Sequence, residues 1–236
     1  MSNQIRPEGD IEGMFDSIAR SYDFLNHFLS FGTDRCWRRT AIRMAGKLLK
    51  PSSVLDVATG TGDFAIDALK LNPLKVTGID ISERMLELGR EKLRRKKITG
   101  RIELLKGDSL AIPFADGSFD LVMSAFGVRN FSDLYMGIRE MTRVARRNGI
   151  VLVLEFSRPG NRIFRWLYEV YFYKILPFIG RRVSGHKSAY KYLPVSVGSF
   201  PEREKFAELL QSTGLSEVKH RSLSGGIAVI YTGIKK

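Results

Sequence analysis

Short apolar runs alternate with amphipathic patterns along most of this chain, and that alternation predicts its fold. The apolar runs predict five strands: Val54–Val57, Lys75–Ile79, Arg101–Leu105, Phe119–Ser124 and Ile150–Glu155. Helical patterns lie between them: Asp63–Leu71, Ser82–Arg95 with Ser82 as N-cap, and Asp133–Arg146, which Asn148-Gly149 is expected to end. Strands and helices in alternation imply a parallel sheet that is covered by helices.

The last third of the chain has a different pattern. A helix is predicted over Pro201–Ser212, and two strands, Glu217–Ser222 and Ile227–Ile234, are joined by a Ser224-Gly225-Gly226 turn. Such a hairpin would add an antiparallel strand to the sheet. The predicted fold is therefore α/β: a Rossmann-like, seven-stranded, mostly parallel sheet with helices on both faces and an antiparallel C-terminal hairpin strand.

No repeat or long linker divides the chain, so one domain over residues 1–236 is expected. Within it, residues 1–49 are predicted to form a helical N-terminal cap and residues 50–155 the cofactor-binding core. Residues 156–236 are predicted to contain an aromatic helical insert and the hairpin. Since the 236 residues are 44% hydrophobic, they suffice for one sizeable core.

Composition indicates in which compartment the protein works and what kind of partner it binds. The chain has no apolar run long enough for a transmembrane helix and no secretory signal at its start, and Cys36 is its single cysteine. A reducing cytoplasm fits that cysteine usage. The net charge of +13 suggests an acidic partner: nucleic acid, anionic lipid or an anionic substrate. A generally basic proteome would explain the charge equally well.

The stretch VLDVATGTGDFAI carries the first chemical signal. Asp56 lies in the strand, and a glycine turn, Gly60-Thr61-Gly62, joins it to the next helix. Such turns let the backbone approach a nucleotide-like ligand closely. The third glycine of the dinucleotide fingerprint is replaced by Ala65, and Asp63 puts a carboxylate where a pyrophosphate would bind. The turn therefore favours a ligand without phosphates.

Two further acids suit such a ligand. Asp80 ends the second strand, where a carboxylate can accept hydrogen bonds from both hydroxyls of a ribose. Asp108 follows the third strand, where it can meet an adenine amino group beside the backbone of Ser109. S-adenosylmethionine has these groups and no phosphate, and it is the predicted cofactor. No metal is expected, because transfer from a sulfonium needs none.

Five stretches spread over the chain resemble one family. They are FDSIARSYDFLNHFLSFGTDRCWRR, VLDVATGTGDFAI, DGSFDLVMSAFGVRNFSD, and the ending YLPVSVGSFPEREKFAELL with SGGIAVIYTGIK. The glycine turn is typical of class I S-adenosylmethionine-dependent methyltransferases as a whole. The other stretches are more specific, and through them the chain resembles the ubiquinone/menaquinone-biosynthesis C-methyltransferases.

The resemblance implies an activity and a set of site residues. The family methylates a ring carbon of a polyprenyl quinol, either demethylmenaquinol or the methoxy-benzoquinol of ubiquinone synthesis. By position, the implied cofactor contacts are Thr61, Asp80, and Asp108 with Ser109. Asp56, Gly60 and Gly62 are further candidates from the glycine-turn stretch. Ser124 is a candidate as well, because this chain has Ala125 where some relatives have serine and Ser124 lies one residue before it.

The chemistry adds candidate catalytic residues. A ring carbon becomes a good nucleophile only when an attached hydroxyl loses its proton, so the developing phenolate needs support. Arg129 could stabilise the phenolate and Asn130 could orient a hydroxyl or a water. Tyr22 or His27 could accept the proton, and the alternative for both is a surface or packing role. The alternative for Arg129 and Asn130 is a structural salt bridge and a turn residue.

The segment RIFRWLYEVYFYKILPFIGRR combines aromatic and basic residues. It could form an apolar groove for an isoprenoid tail and rest on an anionic membrane surface, or be an ordinary core helix. The expected location is the cytoplasm, with peripheral contact at the inner face of the membrane. A homodimer is considered, because the sequence does not define the oligomeric state.

Two other classes of function compete with this interpretation. A methyltransferase acting on RNA, DNA or another small molecule would suit the charge. However, Ser124-Ala125-Phe126-Gly127 stands where an Asn/Asp-Pro-Pro-Tyr base pocket would be expected, so nucleic acid is not the predicted partner. A non-enzymatic binding module is disfavoured because Thr61, Asp80 and Asp108 are all present.

Overall fold

The structure is a computed structural model that describes Gly13, Asp16, residues 32–160, Arg165 and residues 196–236. The described helices are α1 (Asp34–Leu48), α2 (Asp63–Ala68), α3 (Glu83–Lys96), α4 (Leu134–Val144) and α5 (Glu204–Ser212). The described strands are β1 (Ser53–Val57), β2 (Lys75–Asp80), β3 (Ile102–Lys106), β4 (Phe119–Ala125), β5 (Ala145–Phe156), β6 (Leu215–Leu223) and β7 (Ala228–Lys235).

The seven strands form one sheet in the order β3-β2-β1-β4-β5-β7-β6. Neighbours from β3 to β5 pair in parallel, and β7 pairs antiparallel with both β5 and β6. The predicted fold class is confirmed, including the antiparallel strand near the C-terminus. The C-terminal hairpin is also confirmed, and its second strand lies inside the sheet between β5 and β6.

Two apolar layers cover the faces of the sheet. On one face α1, α2 and α3 pack with residues such as Trp37, Phe64 and Leu86. On the other face α4 and α5 pack with residues such as Ile138 and Phe206. Neighbouring residues of β5, such as Leu152 and Val153, belong to opposite layers and are almost completely buried. The nearly continuous apolar pattern of β5 has this cause.

Several predicted boundaries were wrong by a few residues. Helix α4 ends at Val144, and β5 begins at once, with Asn148 at φ +61° and a register shift opposite Phe119 and Leu121. The signal Asn148-Gly149 therefore marks an irregularity inside a strand rather than the end of the helix. Helix α5 begins at Glu204 rather than Pro201, because Arg203 has φ +52° and ψ −112°.

The ends of other elements agree with their sequence signals. Ser82 caps α3, and its hydroxyl accepts a hydrogen bond from the Met85 amide at 3.1 Å. The predicted helix over Asp63–Leu71 is α-helical to Ala68 and continues as a 3₁₀ turn. Of the predicted N-terminal cap, the structure describes α1 and the helical residues Gly13 and Asp16.

Within the described residues, no helix is both long and apolar enough to cross a bilayer.

Candidate active site

The chain runs from β1 outward to β3 and then returns to β4 beside β1, so the strand order reverses between β1 and β4. In open α/β sheets, ligands bind in the crevice outside the carboxyl ends of the strands at this point. We call the side of the sheet where the parallel strands end the carboxyl edge. The glycine turn follows β1 there, and the FGVRN stretch follows β4.

The glycine turn has a conformation that its sequence explains. Gly60 and Gly62 have φ of +56° and +83°, and Ala58 also has a positive φ, +54°. The Thr59 amide donates to the Ile79 carbonyl at 2.9 Å, which fastens the turn to the end of β2. Gly62 then caps α2 in a left-handed conformation that a glycine adopts without strain.

Asp56 lies beneath this turn and holds it. Its side chain is almost fully buried, and one oxygen accepts a hydrogen bond from the Thr59 hydroxyl at 2.6 Å. Burial raises the pKa of Asp56 to about 7, against the opposing effects of the Thr59 hydroxyl and the Ala65 amide. Asp56 was predicted to contact the cofactor, and the contacts on the described residues make it a brace of the glycine turn.

Asp80 joins the turn to the end of β2. Its carboxylate accepts hydrogen bonds from the amides of Gly60, at 2.7 Å, and Ser82, at 3.0 Å. Burial raises the pKa of Asp80, and the Ser82 and Gly60 amides oppose that rise. Two residues predicted from separate motifs, Gly60 and Asp80, are thus brought into direct contact. A carboxylate held in this way is oriented before any ligand arrives.

Asp108 and Ser109 follow β3, the neighbour of β2. The Gly107 amide donates to the Asp80 carbonyl at 3.0 Å, which keeps the start of this loop beside the end of β2. The exposed carboxylate of Asp108 accepts from the Leu110 amide at 2.9 Å, and Ser109 is partly buried. Because β1, β2 and β3 are neighbours in the sheet, the glycine turn, Asp80 and Asp108 follow one another along the carboxyl edge.

The sequence did not predict the role of Lys92 on α3. Its Nζ donates to the Thr61 hydroxyl at 2.7 Å and to the Asp63 carboxylate at 2.8 Å. Asp63 also faces the Arg38 guanidinium at 3.4 Å. Its charge is therefore largely compensated, and its repulsion of a pyrophosphate is weaker than the sequence argument assumed. Lys92 lies in a highly charged helix, where nothing in the pattern distinguishes it.

Arg38 is the second residue that the sequence argument missed. It is nearly buried on α1, and its guanidinium contacts Asp34, Asp63 and Asp67 at 2.6, 3.4 and 3.1 Å. These contacts tie the helix that follows the N-terminal segment to the helix that follows the glycine turn. Arg38 belongs to DRCWRR, the end of the first stretch that carries the family resemblance, so the sequence did contain a signal for this residue. It contained none for the ion pairs that Arg38 forms.

The end of β4 packs tightly against the glycine turn. A Cβ on Gly127 would lie 2.7 Å from the Ala58 Cβ and 2.9 Å from the Ser124 hydroxyl, so only glycine fits. Ser124 itself is completely buried, and its hydroxyl has no hydrogen-bond partner among the described residues. Its predicted contact with the cofactor stays a prediction.

Arg129 lies in the 3₁₀ turn Val128–Asn130 just after β4. Its Nη1 forms an ion pair with Glu155 of β5 at 2.8 Å and also donates to the Phe126 carbonyl. Its side chain is only 4% exposed, and its guanidinium carbon lies 5.4 Å from the centre of the Phe156 ring. The ion pair is the contact that a structural role requires, and the predicted catalytic role of Arg129 and Asn130 stays a prediction.

The N-terminal segment reaches this edge at one described residue. Ser82, which is two residues beyond Asp80, donates a hydrogen bond from its hydroxyl to the Asp16 carboxylate at 2.5 Å. Tyr22, the predicted proton acceptor, and His27 lie outside the described residues, as does most of the aromatic segment over 162–182. Their predicted roles are therefore untested by the structure.

The donor and acceptor set suits S-adenosylmethionine. Asp80 is a preorganised acceptor of hydrogen bonds, Asp108 is an exposed carboxylate after the neighbouring strand, and the turn at Gly60 and Gly62 permits close backbone approach. The buried hydroxyl of Ser124, which has no hydrogen-bond partner among the described residues, is a polar group at the same edge. The carboxylates of Asp80 and Asp108 suit a cationic ligand that carries no phosphate.

Comparison with solved structures defines the fold. The fold matches an S-adenosylmethionine-dependent methyltransferase from Thermotoga maritima with a TM-score of 0.63, at 20% identity, over 95% of this chain and 99% of the other. It matches the [4+2]-cyclase SpnF with a TM-score of 0.68, at 16% identity, over 95% and 94%. Both show the class I methyltransferase fold, which also carries other chemistry.

Sequence comparison defines the family. The chain matches the model of the ubiE/COQ5 methyltransferase family over residues 3–235, and it belongs to that family. It is 46% identical to the ubiquinone/menaquinone biosynthesis C-methyltransferase UbiE of Geotalea uraniireducens over 95% of this chain and 96% of the relative. It is 44% identical to the demethylmenaquinone methyltransferase of Porphyromonas gingivalis over 95% and 92%.

The family assignment confirms the resemblance seen in the sequence. The chain is a methyltransferase that depends on S-adenosylmethionine, as the glycine turn and its acids predicted. The predictions of individual site residues concern contacts with ligands, and they remain predictions.

Proposed function

We propose that this protein transfers a methyl group from S-adenosylmethionine to a ring carbon of a polyprenyl quinol. The observation that carries the proposal is the match over 95% of the chain to relatives named for this step at 46% and 44% identity. The substrate is demethylmenaquinol or the methoxy-benzoquinol of ubiquinone synthesis, since the relatives' names include both pathways.

The cofactor is proposed to lie along the carboxyl edge. Asp80 accepts hydrogen bonds from the ribose, and Asp108 with Ser109 contacts the adenine. The turn containing Gly60, Thr61 and Gly62, braced by Asp56, faces the remainder, with Ser124 beside it. When bound, S-adenosylmethionine supplies the methyl group. The chain contributes the fixed orientation, which lowers the barrier for a transfer between two bound reactants.

The quinol end of the site is proposed to lie beyond β4. There Arg129 supports the oxyanion that develops when the quinol hydroxyl loses its proton, and Asn130 orients that hydroxyl or a water. Tyr22 is the proposed proton acceptor. The support for this arrangement is the position of the turn Val128–Asn130 next to the reversal of strand order.

Access to a lipid-like substrate suggests where the enzyme works. We propose a cytoplasmic protein that touches the anionic inner face of the membrane through the basic and aromatic stretch over 162–182. The net charge of +13 supports this, because each basic residue near an anionic surface contributes attraction. A homodimer is compatible with the proposal and is not required by it.

A parallel assay tests the proposal. The purified protein is incubated with methyl-labelled S-adenosylmethionine and, in separate reactions, with a demethylmenaquinol analogue, a methoxy-benzoquinol analogue and total RNA. Label is expected in one or both quinols and not in RNA. Label in RNA alone, or in no substrate despite bound cofactor, would contradict the proposal. The ratio of the two quinol rates identifies the preferred ring.

A further inference from the structure

On the face of β5 that packs against α4 and α5, buried apolar residues are followed by a buried carboxylate at the carboxyl edge. Val151 and Val153, which lie on this face, are each only 1% exposed and pack in the apolar layer. Two residues further along the same face, Glu155 is 0% exposed. A buried ion pair costs several kcal/mol of desolvation for each charge, and well-packed apolar residues in place of both partners are often as stabilising or more so. Stability alone therefore does not explain a glutamate at this position.

Among the described residues, Glu155 accepts three hydrogen bonds, and two of them come from Arg129. Its Oε1 accepts from Arg129 Nη1 at 2.8 Å and from the Phe156 amide at 2.9 Å. Its Oε2 accepts from the backbone amide of Arg129 at 3.3 Å. The same carboxylate thus holds both the side chain and the backbone of Arg129. Burial raises the pKa of Glu155, and the charge of Arg129 opposes that rise.

Two further described groups, besides Glu155, hold the Arg129 side chain in place. The Phe126 carbonyl accepts from Nη1, and the Phe156 ring lies 5.4 Å from the guanidinium carbon. A flexible arginine has several rotatable bonds, and fixing them before the substrate binds removes an entropic cost from the reaction. A planar guanidinium held by a carboxylate also keeps a defined orientation.

We propose that Glu155 is a positioning residue for methyl transfer. It holds the Arg129 guanidinium and the turn Val128–Asn130 in place at the carboxyl edge, so that Arg129 and Asn130 are oriented when the quinol binds. This inference rests on the proposed function, because it gives Arg129 the role of supporting the quinol oxyanion. Glu155 itself takes no part in bond making and does not contact the reacting atoms.

The first test uses single variants of Glu155. Glu155→Gln keeps the shape and removes the charge that orients Arg129, and Glu155→Asp keeps the charge on a shorter arm. Both are expected to bind S-adenosylmethionine within twofold of wild type and to keep a similar KM for the quinol analogue. We expect kcat to fall about tenfold or more. Val151→Ala, on the same face of β5, is the control for lost stability and should keep its kcat.

The second test is a charge-balanced pair. Arg129→Gln combined with Glu155→Gln leaves no unpaired buried charge, so its melting temperature should recover towards wild type. If Glu155 acts by positioning Arg129, kcat stays as low as in Arg129→Gln alone, because the guanidinium is absent in both. If Glu155→Gln does not fold, Glu155→Asp, which keeps a carboxylate beside Arg129, takes its place in the comparison.

The outcomes separate this inference from the proposed function. If kcat recovers together with the melting temperature in the double variant, the ion pair is purely structural and the inference is wrong. A normal kcat in folded Glu155→Gln and Glu155→Asp also overturns it. If wild-type protein methylates no quinol, the proposed function fails, and the inference falls with it.

Discussion

The carboxylate of Asp80 accepts a hydrogen bond from the Gly60 amide at 2.7 Å, across the gap between two neighbouring strands. The residue proposed to bind the ribose therefore also shapes the glycine turn. Its second oxygen accepts from the Ser82 amide, so backbone donors orient the whole carboxylate. Loss of Asp80 should affect both the ligand contact and the turn.

Asp80→Ala is expected to weaken the binding of S-adenosylmethionine by roughly 1–3 kcal/mol, because charge-assisted hydrogen bonds are lost. This corresponds to about 5- to 150-fold in Kd. Isothermal titration calorimetry of the purified variant measures it. Glu103→Ala, at an exposed position of the neighbouring strand β3, is the control and should bind normally. An unchanged Kd in Asp80→Ala would remove Asp80 from the cofactor site.

Arg129→Ala tests the proposed oxyanion support. Cofactor affinity should stay nearly intact, while kcat falls roughly a hundredfold, as for the loss of one oxyanion donor. Arg129→Lys should recover little, because an ammonium does not reproduce the planar guanidinium. The variant should also be less stable by about 3–5 kcal/mol, because Glu155 is left buried and unpaired.

The measurements on Arg129→Ala are therefore made on folded protein at low temperature. Arg146→Ala removes an ion pair with Asp120 at the start of β5, away from the carboxyl edge, and serves as the matched control. A normal kcat in folded Arg129→Ala, with only the melting temperature lowered, would make Arg129 purely structural.

Lys92→Ala tests a residue that the sequence did not single out. Its hydrogen bonds to Thr61 and Asp63 fasten the glycine turn to α3, so their loss should loosen the turn. We expect Kd for S-adenosylmethionine to rise about 2- to 12-fold, the range for one hydrogen bond of ordinary strength. Arg95→Ala, an exposed cation on the same helix, should leave Kd unchanged. Equal affinities in the two variants would show that Lys92 does not influence the turn.

Asp56 makes stability depend on pH. Its pKa is raised from 3.8 to about 7, so the folded protein holds this proton more tightly than the unfolded chain does. Its contribution to stability is therefore largest below about pH 4 and is lost as the pH rises towards 7, by about 4 kcal/mol in total. Urea unfolding of wild type and Asp56→Asn at pH 4.5, 5.5 and 7 tests this.

Asp56→Asn cannot ionise and should show a flatter profile over that range. Asp116→Asn, at an exposed position, should follow the wild-type profile. If Asp56→Asn and wild type lost stability in parallel between pH 4.5 and 7, Asp56 would not be the group responsible.

The sequence alone determined the elements and the kind of ligand. Strands such as β4 and β5 are visible because apolar residues follow one another, and the caps at Ser82 and Gly62 depend on local chemistry. Ala65 in place of a third glycine and the carboxylate of Asp63 indicated a cofactor without phosphates, because both are properties of single positions. The family was visible in five stretches, and comparison confirmed it.

Only the tertiary structure decided how those residues act. Lys92 reaches Thr61 across 31 positions, and Glu155 reaches Arg129 across 26. Hydrogen bonds of this kind depend on how α3 packs beside the glycine turn and how β5 pairs with β4, which no local pattern records. For the same reason the structure shows that Asp56 braces the glycine turn and that Asn148 is an irregularity within a strand. Local periodicity specifies where an element lies, whereas partners distant in sequence specify what each side chain contacts.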